Sequence, residues 1–193
     1  MSTETEGVDL VGDEMAGNLA RAALFAALMG AFAYVSFPNP LSTVPVTLQV
    51  LGVFLAGILL GPIWGAAAMV LYLAAGAVGA PVFAGGTGGI GPLLGFTAGY
   101  LWSYPLTAAL VGGVVHRGLS LRDPKAASLV RLVGAMVLGT VVIYALGTVG
   151  FALVQNVGLY EAFLASAVAF IPIEAIKIAA AVGIVRSDAV TAA

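Results

Sequence analysis

Residues 162–185 read AFLASAVAFIPIEAIKIAAAVGIV, an apolar stretch that is long enough to cross a membrane as a helix. About 20 predominantly apolar residues cover the hydrocarbon core of a bilayer. Glu174 and Lys177 are the only ionisable residues in the stretch. Residues three apart on a helix share one face, so a carboxylate and an ammonium stand side by side. Charges at membrane depth are costly unless they are paired or bind a ligand, which makes this pair the first candidate for a functional site.

The composition extends the membrane prediction to the whole chain. Of the 193 residues, 61% are apolar and only 8% are charged, and the mean hydropathy is +1.11. These values exclude an ordinary soluble domain. The chain has no cysteine, which excludes disulfides, thiolate metal sites and cysteine nucleophiles. It also has no basic patch for nucleic acid and no Gly-Lys-Ser/Thr phosphate-binding motif.

Six apolar segments predict an all-α membrane protein with six transmembrane helices. The segments are 19–36, 46–60, 63–80, 96–115, 129–154 and 162–185. Only Gly61 and Pro62 separate the second segment from the third, which predicts a helical hairpin at that point.

Basic residues predict how these helices are oriented. All of them except Lys177 fall on one side of a six-helix arrangement, and the three connections on the other side contain none. The positive-inside rule then places both termini in the cytoplasm. The predicted organisation is an acidic disordered N-terminal tail (1–18), one transmembrane domain (19–186) and a short C-terminal tail (187–193).

Rows of small residues predict close helix packing, because such rows let helix backbones approach each other in lipid. The first span carries two adjacent rows, Ala22, Ala26 and Gly30, and Ala23, Ala27 and Ala31. Further rows are Gly57-Gly61-Gly65 and Gly95-Gly99. Packing within the chain is one interpretation. For the first span we predict a docking surface for a second membrane protein, at Ala22, Ala26 and Gly30.

The connection at residues 81–95, PVFAGGTGGIGPLLG, contains six glycines. It includes a formal G-x-G-x-x-G pattern, but a dinucleotide site requires a preceding strand in a βαβ unit, and this loop joins two membrane spans. The glycines permit a backbone that approaches a ligand or a helix closely. The alternative interpretation is a flexible outer loop.

Several separate motifs resemble the BioY family, the biotin-specific substrate-binding (S) components of energy-coupling factor (ECF) transporters. The motifs are VPVTLQ at 44–49, FLAGILLGP at 54–62, GAPVFAGG at 79–86 and FIPIEAIK at 170–177. The resemblance covers residues 19–186 in order. The last motif departs from the family pattern, because Glu174 stands where the family usually has Asp and Ile173 replaces a Gly.

The resemblance implies an S-component-like bundle that captures biotin and supports its uptake. It implies a membrane scaffold (T) subunit and cytosolic ATPases as partners, with no enzymatic activity, cofactor or metal in this chain. The residues predicted to bind the ligand are Glu174, Lys177, Tyr100, Phe83, Gly85, Gly86 and Gln49. Trp102 and Tyr104 are further candidates for an apolar wall.

Each of these candidates also has an interpretation without a ligand. Glu174 and Lys177 would form a self-contained salt bridge, Tyr100 would be a core aromatic, and Gln49 an interfacial polar residue. His116, the sole histidine, is predicted to lie in solvent at the end of the fourth span. Functional alternatives are an S component for another vitamin and a proton-coupled carrier that uses Glu174. An intramembrane enzyme is disfavoured, since the spans hold a single acid.

Overall fold

The structure, a computed structural model, describes residues 12–39 and 42–187. Seven α-helices lie in these ranges: α1 (Asp13–Tyr34), α2 (Gln49–Ala77), α3 (Gly91–Leu94), α4 (Ala98–His116), α5 (Leu129–Gln155), α6 (Leu159–Ser166) and α7 (Ile171–Arg186). Five segments are long and apolar enough to cross a membrane, namely α1, α2, α4, α5, and α6 together with α7. The predicted helical membrane fold is therefore confirmed.

Helix α2 consists of two arms that reverse direction at Gly61. This glycine has φ 75° and ψ −179°, a conformation that side chains other than glycine rarely allow. The side-chain amide of Gln49 donates to the Tyr72 hydroxyl at 2.5 Å, whereas a straight helix would separate these residues by about 34 Å. Gly65 packs directly on the backbone of Ala56. The hairpin predicted for the second and third spans is confirmed, and no loop separates its arms.

The reversal in α2 leaves one helix carbonyl without its usual donor. Pro62 has no N–H, the group that would bond to the carbonyl of Ile58. The His116 Nε2 atom lies 2.9 Å from that carbonyl oxygen, and Nδ1 accepts the backbone N–H of Arg122 at 3.1 Å. Because Nδ1 is the acceptor, Nε2 carries the proton and donates. His116 is 1% exposed, so the prediction that it lies in solvent is wrong.

The last predicted span is not one continuous helix. Helix α6 ends at Ser166, a 3-10 turn covers Val168–Phe170, and α7 begins at Ile171. Pro172 explains the break, because proline is accepted in the first turn of a helix and disfavoured in its interior. The break places Glu174 in the first turn of α7.

The first connection contains a two-stranded antiparallel ribbon that the sequence analysis treated as a loop. Strand β1 (Ser36–Asn39) pairs with β2 (Ser42–Thr47). The first helix also begins earlier than expected, since residues 13–18, predicted to belong to a disordered tail, are helical. The rest of that tail and residues 188–193 lie outside the described residues.

Glycines allow α2, α4 and α5 to approach at backbone distance. A Cβ atom on Gly57 would lie 2.5 Å from the Ala108 carbonyl oxygen, and one on Gly99 would lie 2.1 Å from the Leu146 carbonyl oxygen. Neither clash can be relieved by a rotamer change, because the obstacles are main-chain atoms. At these two glycines the predicted packing of small residues within the chain is confirmed.

The basic residues of the C-terminal half, except Lys177, gather where α4 ends, α5 begins and α7 ends. The Arg186 guanidinium donates to the carbonyl oxygens of Lys125 and Ala127 at 2.6 and 2.5 Å. These bonds fasten the end of α7 to the connection between α4 and α5. We call this the basic end of the bundle.

Candidate functional site

A cavity of about 360 Å³ opens at the other end of the bundle, where α4 and α7 begin. Pockets for small organic ligands usually measure about 300–1,000 Å³, so this one suits a small molecule. Its wall combines β2, the first turn of α2, the glycine-rich loop, the start of α4 and single residues of α5 and α7. The lining residues are Val44, Pro45, Thr47, Gln49, Val50, Phe83, Ala84, Thr87, Gly91, Pro92, Gly95, Phe96, Thr97, Tyr100, Leu101, Tyr104, Tyr144, Phe170 and Lys177.

The cavity does not continue toward the basic end. Fully buried side chains fill the middle of the bundle, among them Phe54, Ile58, Val111 and Met136, each 0% exposed. The ligand space is therefore confined to one end of the molecule.

Glu174 and Lys177 form a buried ion pair beside the cavity. The Lys177 Nζ lies 2.7 Å from Glu174 Oε1, and the Tyr144 hydroxyl donates to the same oxygen at 2.8 Å. Glu174 is 2% exposed and Lys177 4%. Lys177 and Tyr144 line the cavity directly, so the carboxylate is one hydrogen bond behind its wall.

The second carboxylate oxygen of Glu174 is unused. Oε2 is buried and has no hydrogen-bond partner among the described residues. Glu174 lies in the first turn of α7 and is paired with the Lys177 ammonium. An ionised buried carboxylate with a spare oxygen is a strong acceptor for a ligand donor. Lys177 likewise uses only one of its three N–H groups within the described chain.

Gln49 belongs to a second polar cluster on the opposite wall. Its Oε1 accepts from the Thr47 hydroxyl at 3.0 Å, and its Nε2 donates to the Tyr72 hydroxyl. These bonds fix the amide where β2 meets α2. The cluster thereby gives this wall a polar spot in a defined orientation.

Six aromatic residues contribute to the remaining wall. Tyr144 lies between Tyr100 and Phe170, with ring centroids 5.8 and 5.7 Å away. The Tyr100 hydroxyl donates to the Ser166 carbonyl oxygen at 2.5 Å, which leaves its ring as an apolar surface. The Tyr104 hydroxyl makes no hydrogen bond within residues 12–39 and 42–187 and remains available to a ligand. The cavity thus offers aromatic faces together with a few separated polar groups.

Comparison with known proteins identifies the family. The model of the BioY family matches residues 3–192. The chain belongs to the BioY family. The biotin transporter BioY of Rhodobacter capsulatus is 46% identical over 145 residues, which are 75% of this chain and 74% of that protein. A probable biotin transporter BioY of Pyrococcus horikoshii is 38% identical over 160 residues, 83% of this chain and 88% of that protein.

A solved crystal structure has the same fold. The crystal structure of the S-component for biotin from an ECF-type ABC transporter matches with a TM-score of 0.80. It is 27% identical in sequence, and the match covers 92% of this chain and 93% of that one. The resemblance and the helical bundle predicted from the sequence are confirmed, and this BioY chain is a multi-pass membrane protein.

The structure brings most of the predicted ligand residues of this BioY chain to one place. Gln49, Phe83, Tyr100 and Lys177 line the cavity, and Glu174 is bonded to Lys177 behind it. Their roles toward a ligand stay predictions.

Three other predicted positions lie elsewhere. Gly85 and Gly86 are not among the lining residues, which include their neighbours Ala84 and Thr87. Both glycines have positive φ, 70° and 73°, so they shape the turn that presents those neighbours. Trp102 is 57% exposed on the outside of α4 and donates to the Leu93 carbonyl oxygen.

Sequence reasoning missed Tyr144, Phe170 and Thr47 as lining residues of this BioY bundle. Tyr144 carried a usable signal, because it is the only tyrosine in the fifth span. Thr47 lies in the VPVTLQ motif at 44–49, but the sequence analysis did not predict the β-ribbon that brings the Thr47 hydroxyl to Gln49. Nothing in the sequence indicates that Phe170 lines a cavity, because its position depends on the break between α6 and α7.

The two small-residue rows of α1 face different ways in this BioY chain. Ala22 is 0% exposed, and a Cβ atom on Gly30 would lie 3.0 Å from the Val82 side chain. The row predicted for docking therefore faces the bundle, with Ala26 half-buried between them. The neighbouring row, Ala23, Ala27 and Ala31, is exposed.

Proposed function

We propose that this protein captures biotin with high affinity as the S component of an ECF-type transporter and supports its uptake. The observation that carries the proposal is the cavity with a buried carboxylate, an ammonium and aromatic walls at one end of a BioY-family bundle. The two relatives described above are named as a biotin transporter and a probable biotin transporter, which favours biotin over other vitamins of similar size.

The chemistry of biotin matches these groups. Its ureido ring has two N–H donors and one carbonyl, its sulfur ring is apolar, and its valerate tail ends in a carboxylate. The spare N–H groups of Lys177, at the cavity wall, donate to a ligand carbonyl or carboxylate. The unpartnered Oε2 of Glu174 accepts a ureido N–H once a rotamer change on ligand binding brings the carboxylate to the wall. The rings of Tyr100, Phe83 and Tyr144 enclose the apolar part.

The binding proposal is tested by titrating the purified full-length protein with biotin in a calorimeter. We expect saturable binding of one biotin per chain, while riboflavin and thiamine produce no comparable signal. Absence of binding by protein that unfolds cooperatively on heating would overturn the proposal. Equal binding of another vitamin would assign the cavity to a different S component.

The proposed function includes partners that this chain cannot replace. The sequence has no Gly-Lys-Ser/Thr phosphate-binding motif, and we propose that separate cytosolic ATPases energise uptake through a membrane T subunit. The basic end of the bundle faces the cytoplasm in this proposal, which agrees with the positive-inside rule. The ligand cavity, at the other end, then faces outward to collect the vitamin.

We place the docking surface for the T subunit on the exposed row Ala23, Ala27 and Ala31 rather than on the buried row beside it. Replacing Ala23 and Ala27 together with leucine is expected to reduce co-purification of the T subunit. The added side chains keep the two helix backbones apart. Biotin binding by the isolated chain should be unchanged, which titration of the same preparation checks.

Ala22→Leu is the matched control for this docking prediction. Ala22 lies one residue away on the same helix but is completely buried. Its enlargement should lower the unfolding temperature of the isolated chain, whereas the exposed double variant should leave it unchanged. Normal assembly of the exposed double variant would rule out docking through this row.

A further inference from the structure

The basic end of the bundle contains a second cavity, of about 210 Å³, that the proposed function does not use. Three arginines line it, Arg117, Arg122 and Arg131, together with one acid, Asp123. In the described part of the chain the only salt bridge is the one between Lys177 and Glu174. The three guanidinium groups thus have no ion-pair partner within residues 12–39 and 42–187.

Side chains other than those of the three lining arginines hold this cavity in shape by bonding to main-chain N–H and C=O groups. The buried ring of His116 accepts the N–H of Arg122, and Asp123 Oδ1 accepts the N–H of Lys125 at 2.8 Å. Ser128 caps α5 by accepting the N–H of Arg131 at 3.3 Å, and Arg186 fastens the same connection from α7. The side chains of Arg117, Arg122 and Arg131 therefore make none of the hydrogen bonds that hold this connection in the described part of the chain.

The charges of this second cavity favour an anion. Three arginines and a single acid, Asp123, line the cavity, and one oxygen of the Asp123 carboxylate already accepts a backbone N–H. The N-terminus of the long helix α5 adds its positive dipole end to the same place. Guanidinium groups bind phosphate through paired, charge-assisted hydrogen bonds, so phosphate is the anion that this set of donors suits best.

Exposed apolar residues beside the cavity indicate that the phosphate belongs to a lipid. Leu119 is 71% exposed, Leu121 44%, Leu129 55% and Val130 83%. They flank the arginines at the ends of α4 and α5, two helices that are long and apolar enough to cross a membrane. The ends of such helices lie at the membrane surface. Arginines there contact lipid headgroups, and the exposed aliphatic residues between them contact the upper part of the acyl chains.

We propose that this basic cavity binds the phosphate of an anionic phospholipid headgroup. The three arginines hold the phosphate, while the flanking leucines contact the acyl chains. The site is separate from the ligand cavity, which lies at the opposite end of α4 and α7.

The test uses the full-length protein in detergent with phosphatidylglycerol as the anionic probe and phosphatidylcholine as the zwitterionic one. Native mass spectrometry counts bound lipids, and thermal unfolding measures stabilisation. A surface arginine contributes about 1 kcal/mol to binding an anionic membrane, which corresponds to about fivefold. The double variant Arg122→Gln/Arg131→Gln should therefore weaken phosphatidylglycerol binding by about 25-fold.

Arg21→Gln provides the matched control, because Arg21 is an exposed arginine of α1 that does not line the cavity. It should retain the lipid preference of the unmodified protein, and both variants should bind biotin normally. Equal loss in Arg21→Gln, or no preference for phosphatidylglycerol over phosphatidylcholine, would overturn the proposal. Equal stabilisation by inorganic phosphate alone would assign the cavity to a soluble phosphate compound and would overturn a lipid as its source.

Discussion

Glu174→Gln is expected to weaken biotin binding by about 30-fold to 3,000-fold, the range for removing one partner of a buried, hydrogen-bonded charge pair. The substitution keeps the shape of the side chain but removes the charge that Lys177 and Tyr144 both contact. The neutral amide also gives up the ionised acceptor proposed for a ureido N–H. Calorimetric titration with biotin measures the effect.

A second variant separates a binding role of Glu174 from a structural one. Glu174→Gln alone leaves the ammonium of Lys177 buried without an ion partner, which also destabilises the fold. The double variant Glu174→Gln/Lys177→Met removes both charges, so we expect its unfolding temperature to recover while biotin binding stays weak. Glu161→Gln, at an exposed glutamate of α6, is the control and should bind normally. Tight biotin binding by the double variant would show that Glu174 and Lys177 stabilise the fold and do not bind the ligand.

Gly99→Ala is expected to destabilise the bundle by about 1–3 kcal/mol, the usual cost of overpacking a well-filled interior. The added methyl group would lie 2.1 Å from the Leu146 carbonyl oxygen. Helices α4 and α5 must therefore move apart, and Tyr100 and Tyr144 of the cavity wall move with them. The thermal unfolding temperature in detergent should fall by several degrees, and biotin affinity should fall as well.

Gly113→Ala on the same helix is the matched control for Gly99→Ala. A Cβ atom at Gly113 meets nothing within 4 Å. Since alanine favours a helix over glycine by about 1 kcal/mol, this variant should be as stable as the unmodified protein or slightly more so. An unchanged unfolding temperature for Gly99→Ala would show that the contact between α4 and α5 is looser than the structure describes.

Local chemistry made several features of the fold predictable. The charge-poor spans, the reversal at Gly61 and Pro62, and the conspicuous pair Glu174 and Lys177 all depend on residues close together in the sequence. Helix periodicity alone places the two charges of the pair on one face. These are the features that the structure reproduces most directly.

Features that depend on distant contacts were not predictable. His116 is buried because Pro62 leaves the Ile58 carbonyl without a donor, and 58 residues separate His116 from that carbonyl. Two neighbouring rows of small residues on α1 differ only in that one has Gly30 where the other has an alanine, and the packing of the bundle decides that Ala22 is buried. Tyr144 joins the site because α5 turns that face toward α7, which no spacing within α5 specifies.

The cavity has a kinetic consequence, because the side chains of Phe54, Val111 and their neighbours close its inner end. Biotin bound by this chain alone therefore enters and leaves by the same route, past β2 and the glycine-rich loop. By microscopic reversibility, a change in these segments that only narrows the opening slows association and dissociation by the same factor. In this protein a change in the loops can thus alter residence time without altering equilibrium affinity, whereas a change in the charged pair alters the affinity.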